Sequence, residues 1–198
     1  MKYLKLTLIN LLFIPALCFA QPEGNKIKIG DKAPDFNAED AYGKVYDMSE
    51  ILTDKNIVLL FYRGEWCPVC NRYLSNLQDS LQYIYDKNTV VIAVSPEKPE
   101  KIKSTVNKTN AEFIILHDNN YEIIKSYDVA FKPEDDIIIK YNERLNAELE
   151  PTGEENNILL PVPATFIIDQ SGTIIYKHYN PDYKKRATVK EILDNLPE

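Results

Sequence analysis

The chain has 198 residues, which is long enough for one domain with a sizeable hydrophobic core. Its 30 acidic residues outnumber 23 basic ones, and the resulting net charge of −7 disfavours nucleic acids and anionic membrane surfaces as partners. Three cysteines are too few for a small fold that disulfides hold together.

The first twenty residues have the pattern of a secretory signal. Lys2 and Lys5 provide a positive start, an apolar run follows over 6–19, and Ala20 places a small residue at the end. The run is shorter than the roughly 20 apolar residues that a membrane-spanning helix needs. We therefore expect cleavage near Ala20, a periplasmic or secreted location, and no stable membrane insertion of the mature chain.

The remaining chain predicts one domain over 29–198, preceded by a flexible lead-in over 21–28. Residues 36–48 are typical of a hairpin, because Gly43 accepts the positive φ that a tight turn needs. The apolar patterns that follow predict a strand at 57–62, a helix at 68–86, a strand at 89–95, a helix at 97–109, a strand at 113–116, a short helix at 119–129, strands at 164–168 and 173–179, and a closing helix at 184–196.

The first two buried strands and the helix between them form a βαβ unit, which indicates a parallel pair in the sheet. Residues 130–160 are polar and acidic with few apolar patches. We expect an insertion of uncertain structure there, placed beside the active site.

Two cysteines lie where the first buried strand gives way to the helix. Cys67 and Cys70 are three residues apart, and Cys18 is the remaining cysteine, within the leader. A Cys-X-X-Cys pair in a βαβ unit favours a redox-active dithiol. A structural disulfide and half a zinc site are the alternatives, although His117 and His178, the other candidate zinc ligands, have an unrelated spacing.

The helix start favours ionisation of the first thiol. Pro68 suits the first helical position, so Cys67 lies at the helix N-terminus, where free amides and the macrodipole stabilise a thiolate. Cys70 lies within the first turn and can attack a mixed disulfide or a sulfenic acid on Cys67. We therefore expect Cys67 to be the nucleophile and Cys70 the resolving thiol, with no cofactor and no metal.

Five segments carry a resemblance to a known family: Gly30–Phe36, Gly43–Lys44, Phe61–Asn71, Pro161–Asp169 and Asn180–Arg186. Together they resemble the alkyl hydroperoxide reductase/thiol-specific antioxidant (AhpC/TSA) family, and in particular its peroxiredoxin-like branch with a Trp-Cys-Pro-X-Cys motif. The resemblance implies an α/β thioredoxin-like fold, in which helices flank a central mixed sheet, with an N-terminal hairpin and a central insertion.

The resemblance also implies roles for residues around the dithiol. Pro163 would form a cis peptide bond, face the dithiol and shape the substrate groove, and Trp66 would limit solvent access. Typical peroxiredoxins place a proline seven residues and a threonine or serine three residues before the reactive cysteine. Here these positions hold Leu60 and Gly64, and Arg63 is the candidate for the positive charge that organises the oxidant.

The function that the resemblance implies is an antioxidant oxidoreductase that reduces hydroperoxides. An external thiol donor, such as a thioredoxin-like protein, would reduce the resulting disulfide. Two alternatives stay open: a thiol–disulfide oxidoreductase that acts on protein disulfides, and a non-catalytic binding module. Other charged residues nearby, Glu65 and the cluster 184–186, are interpreted as solvated.

Overall fold

A computed structural model describes residues 25–151 and 156–198. The predicted signal leader lies outside these residues. Residues 25–28 of the predicted lead-in form no helix or strand, and the Asn25 side-chain amide donates to the Tyr127 carbonyl oxygen at 2.7 Å. None of the helices in the described ranges combines the length and the apolar character that crossing a membrane requires.

A five-stranded mixed sheet forms the centre of the domain. The strands of the described residues are, in chain order, β1 (Asn37–Glu39), β2 (Val45–Asp47), β3 (Asn56–Phe61), β4 (Thr89–Ser95), β5 (Ile114–His117), β6 (Ala130–Phe131), β7 (Leu160–Pro161), β8 (Ala164–Ile168) and β9 (Ile174–Tyr179). The central sheet has the order β5-β4-β3-β8-β9. Strands β3, β4 and β5 are parallel, whereas β8 is antiparallel to both β3 and β9. The predicted fold class is therefore confirmed.

Helices connect these strands. They are α1 (Met48–Leu52), α2 (Pro68–Gln78), α3 (Leu81–Tyr85), α4 (Pro99–Thr109), α5 (Glu122–Ser126), α6 (Asp135–Leu145) and α7 (Val189–Asp194). Helix α2 links β3 to β4, as the predicted βαβ unit requires. The hairpin of β1 and β2 is also confirmed, with a φ of +81° at Gly43 in its turn.

Three helices are shorter than predicted, and one of them is α5, which covers Glu122–Ser126 instead of 119–129. The predicted helix at 68–86 is broken at Asp79 and Ser80, where Ser80 N–H donates to the Leu77 carbonyl oxygen at 3.1 Å and ends the α-helical pattern. Asp and Ser favour such ends because their side chains compete for backbone hydrogen bonds. The closing helix begins only at Val189, because Thr188 forms a capping box with Glu191.

The predicted insertion has a structure of its own. The short strands β6 and β7 pair with each other, and α6 lies between them in the chain. Helix α6 has no fully buried residue, but its Tyr141 packs against the core. The insertion thereby places one aromatic side chain against the body of the domain.

The hydrophobic core has one cluster on each face of the sheet, and β3 contributes side chains to both clusters. Alternate residues of a strand point to opposite faces. Val58 and Leu60 pack in one cluster with helix α2, whereas Leu59 and Phe61 pack in the other. Every β3 residue from 57 to 61 has no exposed surface. The strand that leads to the dithiol is therefore rigidly held.

We expect Phe166→Ala to lower the free energy of unfolding by about 3–5 kcal/mol, the range for deleting a buried aromatic ring. The Phe166 ring is fully buried, 6.1 Å from the Phe61 ring and 5.4 Å from the Tyr127 ring. Urea denaturation measures the change. Tyr83→Ala is the control, because Tyr83 is 65% exposed; equal losses in the two variants would contradict the placement of the core.

Candidate active site

The dithiol lies at the junction of β3 and α2. Cys67 is the N-cap residue of α2, and Pro68 is its first helical residue, as predicted. Cys67 and Cys70 form a disulfide with their Cα atoms 5.2 Å apart. Cys70 N–H also donates to Cys67 Sγ at 3.3 Å. The helix N-terminus thus already directs one amide at the sulfur of Cys67, where it would stabilise a thiolate.

Both sulfurs are enclosed in this oxidised state. Cys67 is 3% exposed and Cys70 is fully buried. Of the two, the earlier cysteine is the one nearer to solvent, which agrees with the predicted order of nucleophile and resolving thiol. Those two roles remain predictions.

Arg186 contacts the dithiol from the other end of the chain. Its Nη2 donates to Cys70 Sγ at 3.2 Å, its Nε donates to the Tyr183 carbonyl oxygen at 3.2 Å, and its guanidinium lies over the Tyr73 ring at 5.1 Å. Burial lowers the pKa of Arg186 to about 10, so the side chain stays charged at neutral pH. The interpretation of residues 184–186 as solvated is therefore wrong for Arg186.

Arg63 is a second cation beside the dithiol segment, and it is buried. Its Nη1 donates to the Tyr141 hydroxyl at 3.0 Å, and its guanidinium lies 4.6 Å from the Tyr183 ring and 5.4 Å from the Phe131 ring. Burial lowers the pKa of Arg63 from its usual range. Its Nε is buried and has no hydrogen-bond partner. Tyr183 therefore contacts both arginines, through its ring and through its carbonyl oxygen.

Trp66 packs directly beside the cysteines. It is 6% exposed, and its ring stacks on the Tyr141 ring with centroids 4.8 Å apart and an interplanar angle of 37°. Tyr141 belongs to α6, so the insertion covers this side of the dithiol segment. The sequence could not show that contact, because Tyr141 lies in a polar stretch without clear periodicity.

Pro163 is buried immediately before β8, and its predicted cis peptide bond is wrong. The described residues contain no cis peptide bond. Val162 N–H donates to the Val129 carbonyl oxygen at 2.7 Å, next to the pairing of β6 with β7, and trans is the intrinsically favoured form of the following bond. Leu60 of β3 pairs with Thr165 of β8, so Pro163 lies beyond the last of these pairs, at the end of the sheet where β3 ends.

Glu97 is a site residue that the sequence did not indicate. It follows β4, and its Oε2 accepts a hydrogen bond from Glu65 N–H at 2.8 Å. Its Oε1 is buried without a hydrogen-bond partner, and burial raises the pKa of Glu97 to about 8. The neighbouring Glu65 carboxylate is 14% exposed and forms an ion pair with Lys108, so its interpretation as solvated is wrong.

The Glu97 carboxyl explains why residue 64 is a glycine. A Cβ atom on Gly64 would lie less than 3.0 Å from both Glu97 Oε1 and Trp66 Nε1. Such contacts are not tolerated without movement of the neighbours. The carboxyl and the indole N–H thus occupy the space that a side chain at position 64 would take.

A cavity of about 160 Å³ lies between the insertion and the start of α4. It has about the volume of an engineered cavity that accommodates benzene. Arg63 and Glu97 contribute to its wall, and Leu149 and Leu160 of the insertion line the apolar part. Among the described residues, no group of three or more His, Cys, Asp or Glu side chains is placed to hold a metal ion.

A thioredoxin-like sheet with a Cys-X-X-Cys disulfide at the start of α2 defines a class of dithiol proteins. The model of the AhpC/TSA family matches residues 29–177. The chain therefore belongs to the AhpC/TSA family. Peroxiredoxin Bcp of Bacillus subtilis (strain 168) is 29% identical over 149 residues, which cover 75% of this chain and 83% of that protein.

Solved structures share the fold. Peroxidoxin BcpB from Mycobacterium tuberculosis aligns with a TM-score of 0.67 at 17% identity, over 86% of this chain and 96% of that one. A putative thiol:disulfide interchange protein DsbE from Chlorobium tepidum aligns with a TM-score of 0.57 at 23% identity, over 86% and 99% of the two chains. At these identities the similarity shows the fold alone.

We expect Arg186→Gln to lower the reactivity of the Cys70 thiol. In a Cys67→Ser background, loss of the adjacent guanidinium would reduce the thiolate fraction and slow alkylation by iodoacetamide at neutral pH about tenfold. Lys185→Gln is the matched control, since it removes an exposed charge from the same segment. Equal rates for the two variants would show that Arg186 does not act on the sulfur.

Proposed function

We propose that the protein is a thiol-dependent peroxidase that reduces hydroperoxides through Cys67 and Cys70. The observation that carries this proposal is the disulfide between an N-cap cysteine and a cysteine in the first helical turn, in a chain of the AhpC/TSA family. The peroxiredoxin names of its relatives agree with this activity.

The reaction needs two steps at the dithiol. The Cys67 thiolate attacks the terminal oxygen of the hydroperoxide, and the O–O bond breaks as Cys67 becomes a sulfenic acid. The second oxygen leaves with the electron pair of that bond and takes up a proton, which gives an alcohol or water. The Cys70 thiol then displaces the hydroxyl group as water and forms the disulfide. The spacing allows this resolution within one chain, because the disulfide already joins residues of the same helical turn.

The two arginines support different steps. Arg186 stabilises the thiolate form of Cys70, whose sulfur it contacts at 3.2 Å, and so promotes attack on the sulfenic acid. Arg63 supplies positive charge next to the segment that carries Cys67, and its unpartnered Nε is free to donate to an oxygen of the oxidant. The predicted role of Arg63 is thus chemically reasonable in this setting.

Turnover requires an external thiol donor that reduces the disulfide. A dithiol protein of the thioredoxin type is the proposed donor, because it carries a nucleophilic thiolate on an exposed surface. With Cys67 only 3% exposed, the segment around Trp66 must move for that thiolate to reach the sulfur. Reduction by the donor would therefore involve local opening of the dithiol segment.

Thiol–disulfide exchange with protein substrates is the second candidate function. Two observations favour it. Position 64 lacks the hydroxyl side chain of typical peroxiredoxins, and Pro163 lies at the end of the sheet where β3 leads to the dithiol. In this reaction Cys67 would form a mixed disulfide with the substrate, and Cys70 would release it.

We expect reduced wild-type protein to consume hydrogen peroxide and an organic hydroperoxide faster than it reduces a model protein disulfide. Cys67→Ser removes the nucleophile and would abolish the activity. Cys70→Ala would still allow one oxidation per chain but no intramolecular disulfide. Faster reduction of the protein disulfide would favour the second candidate, and an inactive wild type would favour a binding module.

We propose, in addition, that the protein is exported to the periplasm or secreted. The support is the leader pattern of residues 1–20, in which a positive start and an apolar run end at a small residue. We expect residues 1–25 fused to alkaline phosphatase, which is active only after export, to give activity. The same fusion with Leu11→Arg and Leu12→Arg should be inactive, and equal activity of both fusions would contradict export by this leader.

A further inference from the structure

Unpartnered polar atoms concentrate around the dithiol segment. Proteins normally pair their buried polar atoms, so each exception needs a reason. In the described part of the chain, buried side-chain atoms without a hydrogen-bond partner include Arg63 Nε, Trp66 Nε1, Asn71 Oδ1 and Glu97 Oε1. Three of these four residues lie between positions 63 and 71, within the segment that carries both cysteines.

Glu97 is the acidic member of this cluster. One of its oxygens is held by the Glu65 backbone N–H at 2.8 Å, which fixes the carboxyl against the dithiol segment. The other oxygen is enclosed, faces the space beside Gly64 and has no partner. Cys67 N–H in turn donates to the Gly64 carbonyl oxygen at 3.1 Å, so the carboxyl packs on the same turn that positions the nucleophile.

An enclosed carboxyl of this kind is suited to holding a proton. Burial disfavours the charged form, and the resulting pKa of about 8 keeps the group protonated at neutral pH. A protonated carboxyl can donate to an oxygen, whereas an ionised one can only accept. The unpartnered Glu97 Oε1 and Trp66 Nε1 then offer two donors side by side where typical family members have one hydroxyl group.

We propose that Glu97 is the proton donor of this site and passes its proton to the oxygen that leaves when Cys67 is oxidised. This inference rests on the proposed peroxidase function. The Cys67 sulfur forms a bond to the terminal oxygen of the hydroperoxide, and the electron pair of the broken O–O bond leaves with the second oxygen. That oxygen takes the proton of Glu97 and departs as an alcohol or water.

The remaining protons balance in the second step. After oxidation, Cys67 is a sulfenic acid and Glu97 is a carboxylate. Condensation of the sulfenic acid with the Cys70 thiol forms the disulfide and releases one water molecule. Glu97 then regains its proton from solvent, and the cavity that it lines with Arg63 provides the route.

Several charged groups surround the carboxyl and set the pH at which it ionises. From the dithiol segment, Glu65 opposes ionisation, and from α4, Lys101 and Lys108 favour it. Arg63, Lys98, Glu148 and Glu150 line the same cavity, where Lys98 pairs with Glu150 and Lys101 pairs with Glu148. The Tyr62 hydroxyl also lies within electrostatic reach of Glu97, and burial keeps it neutral by raising its pKa.

The test is the pH dependence of a single oxidation by hydrogen peroxide. Trp66 is the one tryptophan of the chain, so its fluorescence follows the reduced protein through the reaction. In the wild type we expect the rate to fall above about pH 8, as Glu97 loses its proton. Glu97→Gln keeps an acceptor for the Glu65 amide but no acid, and should be slower by roughly 10²-fold or more without an alkaline fall.

Glu65→Gln is the matched control, since it removes a carboxylate from the same segment. It should keep the alkaline fall and move it to lower pH, because a negative neighbour of Glu97 is gone. If Glu97→Gln retains the wild-type rate and the wild-type fall, the inference is overturned. If the wild type itself does not react with peroxide, the proposed function fails instead, so the two failures are distinguishable.

A second variant protects the test against misfolding. Glu97→Asp keeps the acid on a shorter side chain, and should retain the alkaline fall with a lower rate. A Glu97→Asp profile without the fall would contradict the inference.

Discussion

The site depends on the way a fully buried strand ends at the start of a helix. Strand β3 is held on both faces, because its side chains enter both cores, and only six residues separate its end from the start of α2. The intervening segment must therefore turn sharply, and Cys67 becomes the helix cap. The same constraint places Cys70 one turn later, so a disulfide closes with little additional ordering of the chain. The backbone geometry alone therefore brings the two sulfurs within bonding distance.

Charge and aromatic packing then define the environment of the two sulfurs. Arg186 contacts one sulfur, Arg63 lies beside the segment of the other, and Tyr183 touches both arginines. Two guanidinium groups in a partly buried site would repel each other in isolation. Their placement over aromatic rings, which attract cations, offsets part of that cost. The positive charge of the two arginines favours thiolate, whereas burial raises the pKa of the Glu97 carboxyl and keeps it neutral at neutral pH.

Local patterns were sufficient to predict β3, the dithiol turn and the βαβ unit, because each depends on residues close in sequence. Contacts over long separations were not accessible in this way. Arg186 lies 116 positions from Cys70, and a basic cluster in a loop looks the same whether it is solvated or docked. Tyr141 and Glu97 likewise lack a local signal. The cis bond at Pro163 was predicted from the resemblance alone, and the described residues contain no cis peptide bond.

The central claim is that hydroperoxides oxidise the Cys67 sulfur and that Cys70 converts the resulting sulfenic acid to a disulfide. The most direct measurement treats reduced Cys70→Ser protein with one equivalent of hydrogen peroxide, traps sulfenic acid with dimedone and locates the adduct by mass spectrometry. The account predicts a single adduct on Cys67, and no adduct in the wild type, where Cys70 removes the sulfenic acid first. A Cys67 residue that remains an unmodified thiol after this treatment would contradict it.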